Sequence, residues 1–186
     1  YVQEKHQEIT SQMNIQRQIL IDNYLPLDVV RNIIDNKKRN LWEREIKQED
    51  FLDLRLGIGS TELAGNIKFP EQKFMLDEDN LRDLVYKVAS ESRVLVDVPI
   101  SLSFVRNYVT AIIGDGKQKQ KFIEGLILQM MAFHSYEDLK IVLFTNQNNS
   151  ETWDYLKVLP HCWSNDKSIR YYATNIDEMK ELSLHL

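Results

Sequence analysis

The spacing of apolar and polar positions changes along the 186-residue chain, and each spacing predicts an element. Residues 1–23 contain neither Pro nor Gly and carry sparse apolar side chains four or seven positions apart, which predicts one long helix with a narrow apolar stripe. Pro26 suits the first turn of a second helix, in which Leu27, Val30 and Ile33 recur at helical spacing. Because a narrow stripe buries little area, the first helix either lies on the domain or on a partner chain, or it is a solvated lead-in helix.

From residue 41 onward, strand patterns and helix patterns alternate. Residues 51–57 alternate apolar and polar positions, as a half-buried strand does. Similar reasoning predicts strands at 66–69, 94–100, 108–113, 139–145 and 169–173, and helices starting at 77, 117, 153 and 176. This alternation predicts an α/β fold with a mainly parallel sheet flanked by helices and with an N-terminal helical extension. Residues 1–40 form the extension, and residues 41–186 form the α/β domain.

Composition excludes several classes of protein. Hydrophobic residues make up 43% and charged residues 27% of the chain, which excludes global disorder, a collagen-like fibre and a disulfide scaffold. The net charge of −5 disfavours nonspecific nucleic-acid binding, so no nucleic-acid partner is expected. Cys162 is the sole cysteine and fits a reducing compartment. The longest apolar run, residues 122–133, is too short to span a bilayer, so a soluble chain is expected.

A predicted strand, a glycine loop and a predicted helix follow one another over residues 108–134, in the order of a phosphate-binding loop. Such loops read G-x-x-x-x-G-K-[ST]. Their glycines let backbone N–H groups converge on phosphate, the Lys reaches the terminal phosphates, and the hydroxyl ligates Mg²⁺. The residues here that resemble this loop are Gly114, Gly116 and Lys117.

The match is incomplete in either register. When Gly116 and Lys117 are aligned with the Gly-Lys pair, Ala111 replaces the first Gly and Gln118 replaces the Ser or Thr. When Gly114 is taken as the first Gly, Lys119-Gln120 occupies the place of the Gly-Lys pair. Both registers therefore lack a complete magnesium-dependent phosphate site.

The next predicted strand also lacks the chemistry of an ATPase, since it ends in Thr145 and Asn146 where a Walker-B-like strand ends in a carboxylate. Three interpretations stay open: an active ATPase, metal-free nucleotide binding at Gly114, Gly116 and Lys117, or a loop kept for its turn geometry. The pattern favours the last, with no catalytic residue and no metal site. His134, His161 and Cys162 lack metal-ligand spacing and are interpreted as packing residues.

Several segments resemble one bacterial family in the same order. They are LWER at 41–44, DFLDLRLGIG at 50–59, VPI at 98–100, the predicted strand–loop–helix at 112–134, FHSYEDLKIV at 133–142 and WDYLKVLPH at 153–161. With them, residues 24–186 are similar to the EssC/EccC family, the membrane-bound FtsK/SpoIIIE-type ATPases of type VII secretion systems, and most similar to its Firmicutes branch.

The resemblance implies a degenerate RecA-like, P-loop-ATPase-like domain that lies next to the membrane and precedes the active ATPase domains. Residues 1–40 would then be a stalk from the membrane anchor, on the cytoplasmic side of the bacterial cell membrane. No cofactor is implied for this domain, whereas ATP and Mg²⁺ are implied for later domains of the parent protein. The implied partners are the neighbouring ATPase domains, other protomers in an oligomer and other machine components, with WXG100-type substrates reached through the parent protein and the membrane through its transmembrane helices.

The function expected from this resemblance is a non-catalytic module required for protein export, which links the membrane anchor to the motor. The alternative is an ATP-binding or ATP-hydrolysing domain with a non-standard nucleotide site. A DNA translocase, a third possibility within FtsK-type proteins, conflicts with the net charge of −5.

Overall fold

The computed structural model describes residues 2–64 and 93–186, and the chain forms two compact units. Unit 1 comprises Tyr1–Leu25 and Arg55–Leu102, and unit 2 comprises Pro26–Leu54 and Ser103–Leu186. The strand predicted at 66–69 and the helix predicted to start at 77 lie outside the described residues.

Unit 1 contains one long helix and most of a two-stranded sheet. Helix α1 spans Val2–Asn23, strand β1 spans Asp53–Glu62 and strand β2 spans Val94–Ser103. The two strands pair in antiparallel fashion. Leu95 and Val98 of β2 are completely buried, as is nearly all of Ile9 on α1.

Helix α1 is tied to the sheet of its own unit by side chains from its middle. The Gln16 amide donates to Glu62 O at 3.0 Å and accepts the Ala64 N–H at 2.7 Å. The Arg17 guanidinium donates to Val96 O at 2.9 Å. These bonds hold α1 against the sheet of unit 1, so among the alternatives left by its narrow stripe the solvated lead-in helix is wrong.

Unit 2 contains several helices joined by short strands and turns. Its helices are α2 (Leu27–Asp35), α3 (Gly116–Phe133), α4 (Ser150–Trp153) and α5 (Ile176–Ser183). Its strands are β3 (Leu143–Phe144) and β4 (Tyr172–Ala173), and 3₁₀ turns occupy Gln147–Asn149, Asp154–Val158 and Pro160–Cys162. The side chain of Asn175 caps α5 by accepting the Glu178 N–H at 2.9 Å, which confirms the start predicted there.

The core of unit 2 forms where α2 packs on α3. Val30 and Ile33 are buried on α2, at the helical spacing seen in the sequence. A Cβ at Gly125 of α3 would lie 2.8 Å from Leu27 Cδ1, so the glycine permits this close approach. A second apolar cluster lies around Ile127, Leu156, Cys162 and their half-buried neighbours.

The structure confirms a mixture of helices and sheets but corrects the predicted sheet. The larger sheet, β1–β2, is antiparallel and not parallel. Among the described residues, parallel pairing is confined to β3 and β4, where Leu143 faces Tyr172 and Phe144 faces Ala173. The predicted strands at 139–145 and 169–173 therefore shrink to two residues each, and Phe144 is half exposed.

The strand predicted at 108–113 is wrong. Tyr108, Val109 and Ile113 are exposed by 88%, 85% and 95%, and no strand forms in this segment. Apolar and β-branched residues favour a strand only where a neighbouring strand pairs with them and a core covers them. Neither condition is met here, so strong local β-propensity is overruled.

Candidate functional site

The sequence-predicted loop lies at the N-terminal end of α3 and is exposed from Gly114 to Lys119. Asp115 occupies the N-cap position, where its carbonyl accepts the Lys119 N–H at 2.8 Å. Its carboxylate makes no capping bond to the helix. The structure thus places Gly114, Gly116 and Lys117 together at one exposed helix start.

The backbone of this loop does not require glycine. Neither Gly114 nor Gly116 has a positive φ, and a Cβ added to either would meet nothing within 4 Å. Residues 104–115 form no strand directly before α3, so the strand–loop–helix layout expected from the sequence is incomplete. Within residues 2–64 and 93–186, no group of three or more His, Cys, Asp or Glu side chains is arranged to hold a metal ion.

The opposite end of α3 is held by residues far away in sequence. An α-helix leaves its last four carbonyls without intrahelical donors. The Trp42 backbone N–H donates to Ala132 O at 2.8 Å, and its indole N–H donates to Met131 O at 3.0 Å. The Arg44 N–H donates to Phe133 O at 2.9 Å. Segment 41–44 therefore acts as a tertiary cap for the helix.

The Arg44 side chain joins the same helix end to the start of β1. It is almost completely buried, and its guanidinium donates to Asp53 O at 2.5 Å. Its Nε lies 3.2 Å from Asp50 Oδ2, and its Cζ lies 4.6 Å from the centre of the Phe133 ring. The buried cation lies at the negative end of the α3 dipole, where a positive charge stabilises the helix end.

His134, the residue directly after α3, connects the end of this helix to Leu52. It is completely buried, its Nδ1–H donates to Met130 O at 3.2 Å, and its Nε2 accepts the Leu52 N–H at 3.0 Å. These two bonds require the neutral tautomer with the proton on Nδ1. Burial is the main reason that the pKa of His134 is lowered to about 4, with the Arg44 charge acting in the same direction.

His161 extends the cluster towards the second apolar core. Its Nε2–H donates to His134 O at 2.9 Å, and burial lowers its pKa. The Tyr136 ring packs edge-on against both His161 and Trp42, and Phe51 packs edge-on against His134. We call this set the helix-end cluster: Trp42, Arg44, Phe51, His134, Tyr136 and His161.

Two residues adopt the left-handed backbone conformation where the helix-end cluster is assembled. Trp42 has a φ of 58° and Leu52 has a φ of 55°. Bulky residues rarely adopt this conformation, and it persists where surrounding contacts determine it. The N–H of each residue is bonded, to Ala132 O and to His134 Nε2 respectively. Bonds to the end of α3 therefore fix both strained positions.

The Cys162 thiol lies in the apolar core. It is completely buried beside Ile127 and Leu156, and burial raises its pKa to about 11. A thiol of this kind is protonated at neutral pH and shielded from solvent, so it is a poor nucleophile. Its position agrees with the interpretation that it is a packing residue.

The sequence interpretation missed the role of Trp42 and Arg44. One signal for it was present, since α3 ends without Gly or Asn after its last turn and without a basic residue in that turn. Such a helix needs donors from elsewhere for its terminal carbonyls. The sequence could not specify which distant segment supplies them.

The residues of the helix-end cluster come from the segments that carry the family resemblance, and comparison with known proteins agrees. No family model matches the chain. The type VII secretion system protein EssC of Staphylococcus aureus is 25% identical over 175 residues, which is 94% of this chain and 12% of that protein. The ESX secretion system protein EccC of Geobacillus thermodenitrificans is 23% identical over 162 residues, which is 87% of this chain and 11% of that protein.

Over about nine-tenths of its length, the chain is therefore similar to EssC/EccC proteins of type VII secretion systems. It spans about an eighth of the length of the curated relatives that it matches. Among the described residues, no helix combines the length and the apolar character that crossing a bilayer requires.

Proposed function

We propose that this chain is a non-catalytic module of a type VII secretion motor protein. In this proposal it links a membrane anchor to the ATPase domains of its parent and is required for the export of WXG100-type substrates. The observation that carries the proposal is that several segments resembling the family meet in the helix-end cluster, in which Arg44, His134 and His161 are buried. The glycine loop, in contrast, lies exposed at the other end of α3.

The geometry of the helix-end cluster supports a structural role over a catalytic one. Arg44 pairs with Asp50 and bonds to Asp53 O, and His134 uses both ring nitrogens, whereas Nδ1 of His161 is buried without a hydrogen-bond partner. A general base needs an accessible lone pair, and Nε2 of His134 is occupied by the Leu52 N–H. The cluster fixes the shape of unit 2.

A degenerate RecA-like, pseudo-ATPase scaffold remains part of this proposal. The parallel pair β3–β4, with α4 and 3₁₀ turns in its crossover, supports it, because parallel neighbours need such a connection. The exposed Gly114, Gly116 and Lys117 are its phosphate-loop remnant, and we assign this domain no cofactor and no metal. ATP and Mg²⁺ belong to later domains of the parent.

The proposed partners follow from a position between anchor and motor. They are the neighbouring ATPase domains, other protomers of an oligomer and other components of the secretion machine. The proposed location is the cytoplasmic side of the bacterial cell membrane, with residues 1–40 as the stalk and residues 41–186 as the ATPase-like domain. Nucleic acid is not a proposed partner, given the acidic net charge.

Nucleotide titration tests the non-catalytic role. The purified chain is titrated with a nonhydrolysable ATP analogue and Mg²⁺ in a calorimeter, and no saturable binding is expected. A micromolar dissociation constant, equivalent to about −8 kcal/mol, would overturn the proposal. Phosphate release is then compared between wild type and Lys117→Ala, since the alternative ATPase predicts a rate that collapses in the variant.

Export by the full-length parent tests the module in its machine. Lys117→Ala is expected to leave secretion of a WXG100-type substrate unchanged, while Arg44→Ala is expected to reduce it by destabilising unit 2. The matched control replaces the phosphate-loop Lys of a later ATPase domain of the parent, which should abolish secretion. Loss of secretion with Lys117→Ala, at normal protein abundance, would favour the alternative ATPase.

A further inference from the structure

The segment from Val105 to Lys121, which we call the exposed segment, combines two features that rarely occur together on a protein surface. Its apolar side chains protrude: Tyr108, Val109 and Ile113 are almost fully exposed, and Val105 is more than half exposed. Large contiguous apolar patches on a protein surface mark contacts with a partner or a membrane.

Three lysines lie shortly after these apolar residues in the sequence. The exposed segment contains four cations and one anion, although the whole chain carries a net charge of −5. Lys117, Lys119 and Lys121 are exposed on the first turns of α3, and within the described part of the chain none of them has an ion-pair partner. Ile113 is four residues from Lys117, a distance of at most about 14 Å along the chain.

The base of the exposed segment is fixed to unit 2. Ser103 is buried, and its carbonyl accepts both the Asn107 N–H and the Asn107 side-chain amide, each at 2.9 Å. Thr110 Oγ1 donates to Asn107 O at 2.9 Å. At the other side, α3 continues into its buried residues from Gly125 onward. The exposed apolar residues therefore lie between two parts of unit 2 that are fixed by hydrogen bonds or by burial.

We propose that the exposed segment docks unit 2 onto an anionic lipid bilayer. Tyr108, Val109 and Ile113 would enter the headgroup–acyl boundary, and Lys117, Lys119 and Lys121 would lie among anionic headgroups. Tyrosine suits this depth because its ring is apolar and its hydroxyl is polar. Lysine suits it because its stem lies along the apolar layer while its ammonium group stays in the polar layer.

The chemistry favours a lipid surface over an acidic protein. An acidic protein could be bound by the cations alone. To cover the protruding apolar side chains as well, that protein would need an apolar pocket of matching shape. A bilayer accepts protruding apolar groups without shape complementarity and supplies many negative charges at the same depth. The proposal goes beyond the secretion role and does not rest on it.

Vesicle cosedimentation tests this proposal with the intact chain. We expect binding to vesicles of equal parts phosphatidylcholine and phosphatidylglycerol, and little binding to phosphatidylcholine alone. Replacing Lys117, Lys119 and Lys121 with Gln should weaken binding about 100-fold, since each cation near an anionic surface contributes about fivefold. The matched control replaces Lys37, Lys38 and Arg39 with Gln, changes the net charge equally and should weaken binding far less.

A second variant separates apolar insertion from charge attraction. Replacing Tyr108, Val109 and Ile113 with Ser leaves the charge unchanged and should weaken binding at least about tenfold. All the replaced side chains are exposed, so circular dichroism should show folded variants with thermal midpoints close to wild type.

Several outcomes would overturn the proposal. They are the absence of binding to anionic vesicles, equal losses in the Lys37, Lys38 and Arg39 control, and unchanged binding by the serine variant. Polyglutamate is the comparison probe: binding to it without binding to vesicles would point to an acidic protein instead. None of these outcomes bears on nucleotide binding or export, so the proposed function would remain.

Discussion

The two ends of α3 belong to one continuous helix and have opposite surroundings. At the C-terminal end, three of the last four carbonyls accept bonds from Trp42 and Arg44, and Met130 O accepts bonds from His134. At the N-terminal end, the glycines and lysines are exposed, and Asp115 makes no side-chain cap.

The two ends of α3 show that a motif-like sequence and a structurally important contact need not occur in the same place. The N-terminal end carries the pattern that suggests phosphate chemistry, yet little in unit 2 depends on it. The C-terminal end carries no catalytic motif, yet residues 41–44, 50–59, 133–142 and 153–161, which carry part of the family resemblance, converge on it. Unit 2 therefore depends far more on the helix-end cluster than on the glycine loop, and the following predictions test that difference from the largest effect to the smallest.

Acid should destabilise the C-terminal end most. The pKa of His134 is about 4 in the folded chain, against its ordinary value of 6.5, so the unfolded chain binds more protons between these values. Its contribution is fully present above pH 6.5 and is lost as the pH falls to 4, which amounts to roughly 3 kcal/mol. His161 is shifted in the same direction and adds to the loss. Urea unfolding followed by circular dichroism across this pH range measures the effect.

Two variants show whether His134 causes the acid effect. His134→Gln cannot titrate, so its free energy of unfolding should fall much less between pH 6.5 and 4. His185→Gln removes an exposed histidine from the same unit and should behave like wild type. Equal acid sensitivity in His134→Gln and wild type would show that protonation of His134 does not cause the loss of stability.

Arg44→Ala should lower the free energy of unfolding by about 2–3 kcal/mol at neutral pH. The variant leaves Asp53 O without this donor, removes the ion pair to Asp50 and empties space beside Phe133. Because Asp50 is half exposed and can rehydrate, the loss is smaller than for a fully buried pair. Lys119→Ala, at the other end of α3, should stay within about 0.5 kcal/mol of wild type, and similar losses in both variants would refute the contrast.

Trp42→Phe should cost about 1 kcal/mol through the indole bond to Met131 O. The phenyl ring keeps part of the edge-on contact with Tyr136, so the missing donor accounts for most of the loss. Trp153→Phe is the matched control, since it also shortens a half-buried indole of unit 2. Chemical denaturation of the pair measures the difference, and equal midpoints would mean that the indole bond contributes nothing.

Gly116→Ala should raise the free energy of unfolding, by about 0.5 kcal/mol. Its φ is not positive, a Cβ there meets nothing within 4 Å, and alanine reduces the entropy of the unfolded chain. Gly125→Ala in the same helix should bring no such gain, because its Cβ would lie 2.8 Å from Leu27 Cδ1. Thermal unfolding of both variants checks this, and a marked loss in Gly116→Ala would show that the loop has a structural requirement for glycine.

Local patterns predicted most helices in the part of the chain that the structure describes. The apolar spacing located α1, α2 and α3, and the polar residues Thr174 and Asn175 before Ile176 located the start of α5. The alternation around residue 54 and the apolar run from Val94 predicted β1 and β2. Periodicity and capping depend on neighbours in sequence, which explains why these predictions succeed.

Pairing and burial could not be predicted in the same way. The segment 108–113 has the composition of a central strand, yet Tyr108 and Ile113 are exposed because no strand pairs with them. Likewise, the order of elements suggested a parallel sheet, whereas β1 and β2 pair with each other in antiparallel fashion. The helix-end cluster brings Arg44 to Phe133 across almost ninety positions, and no local pattern specifies such a contact.

The sequence by itself determined most of the described helices, the incomplete phosphate-loop pattern and the family resemblance, since these depend on composition, spacing and order along the chain. Only the tertiary structure decided which end of α3 is buried, which carbonyls Trp42 and Arg44 cap, and why His134 stays neutral. The physical reason is that hydrogen-bond partners and desolvation are properties of three-dimensional neighbours. Those neighbours exist only once segments distant in sequence have packed together.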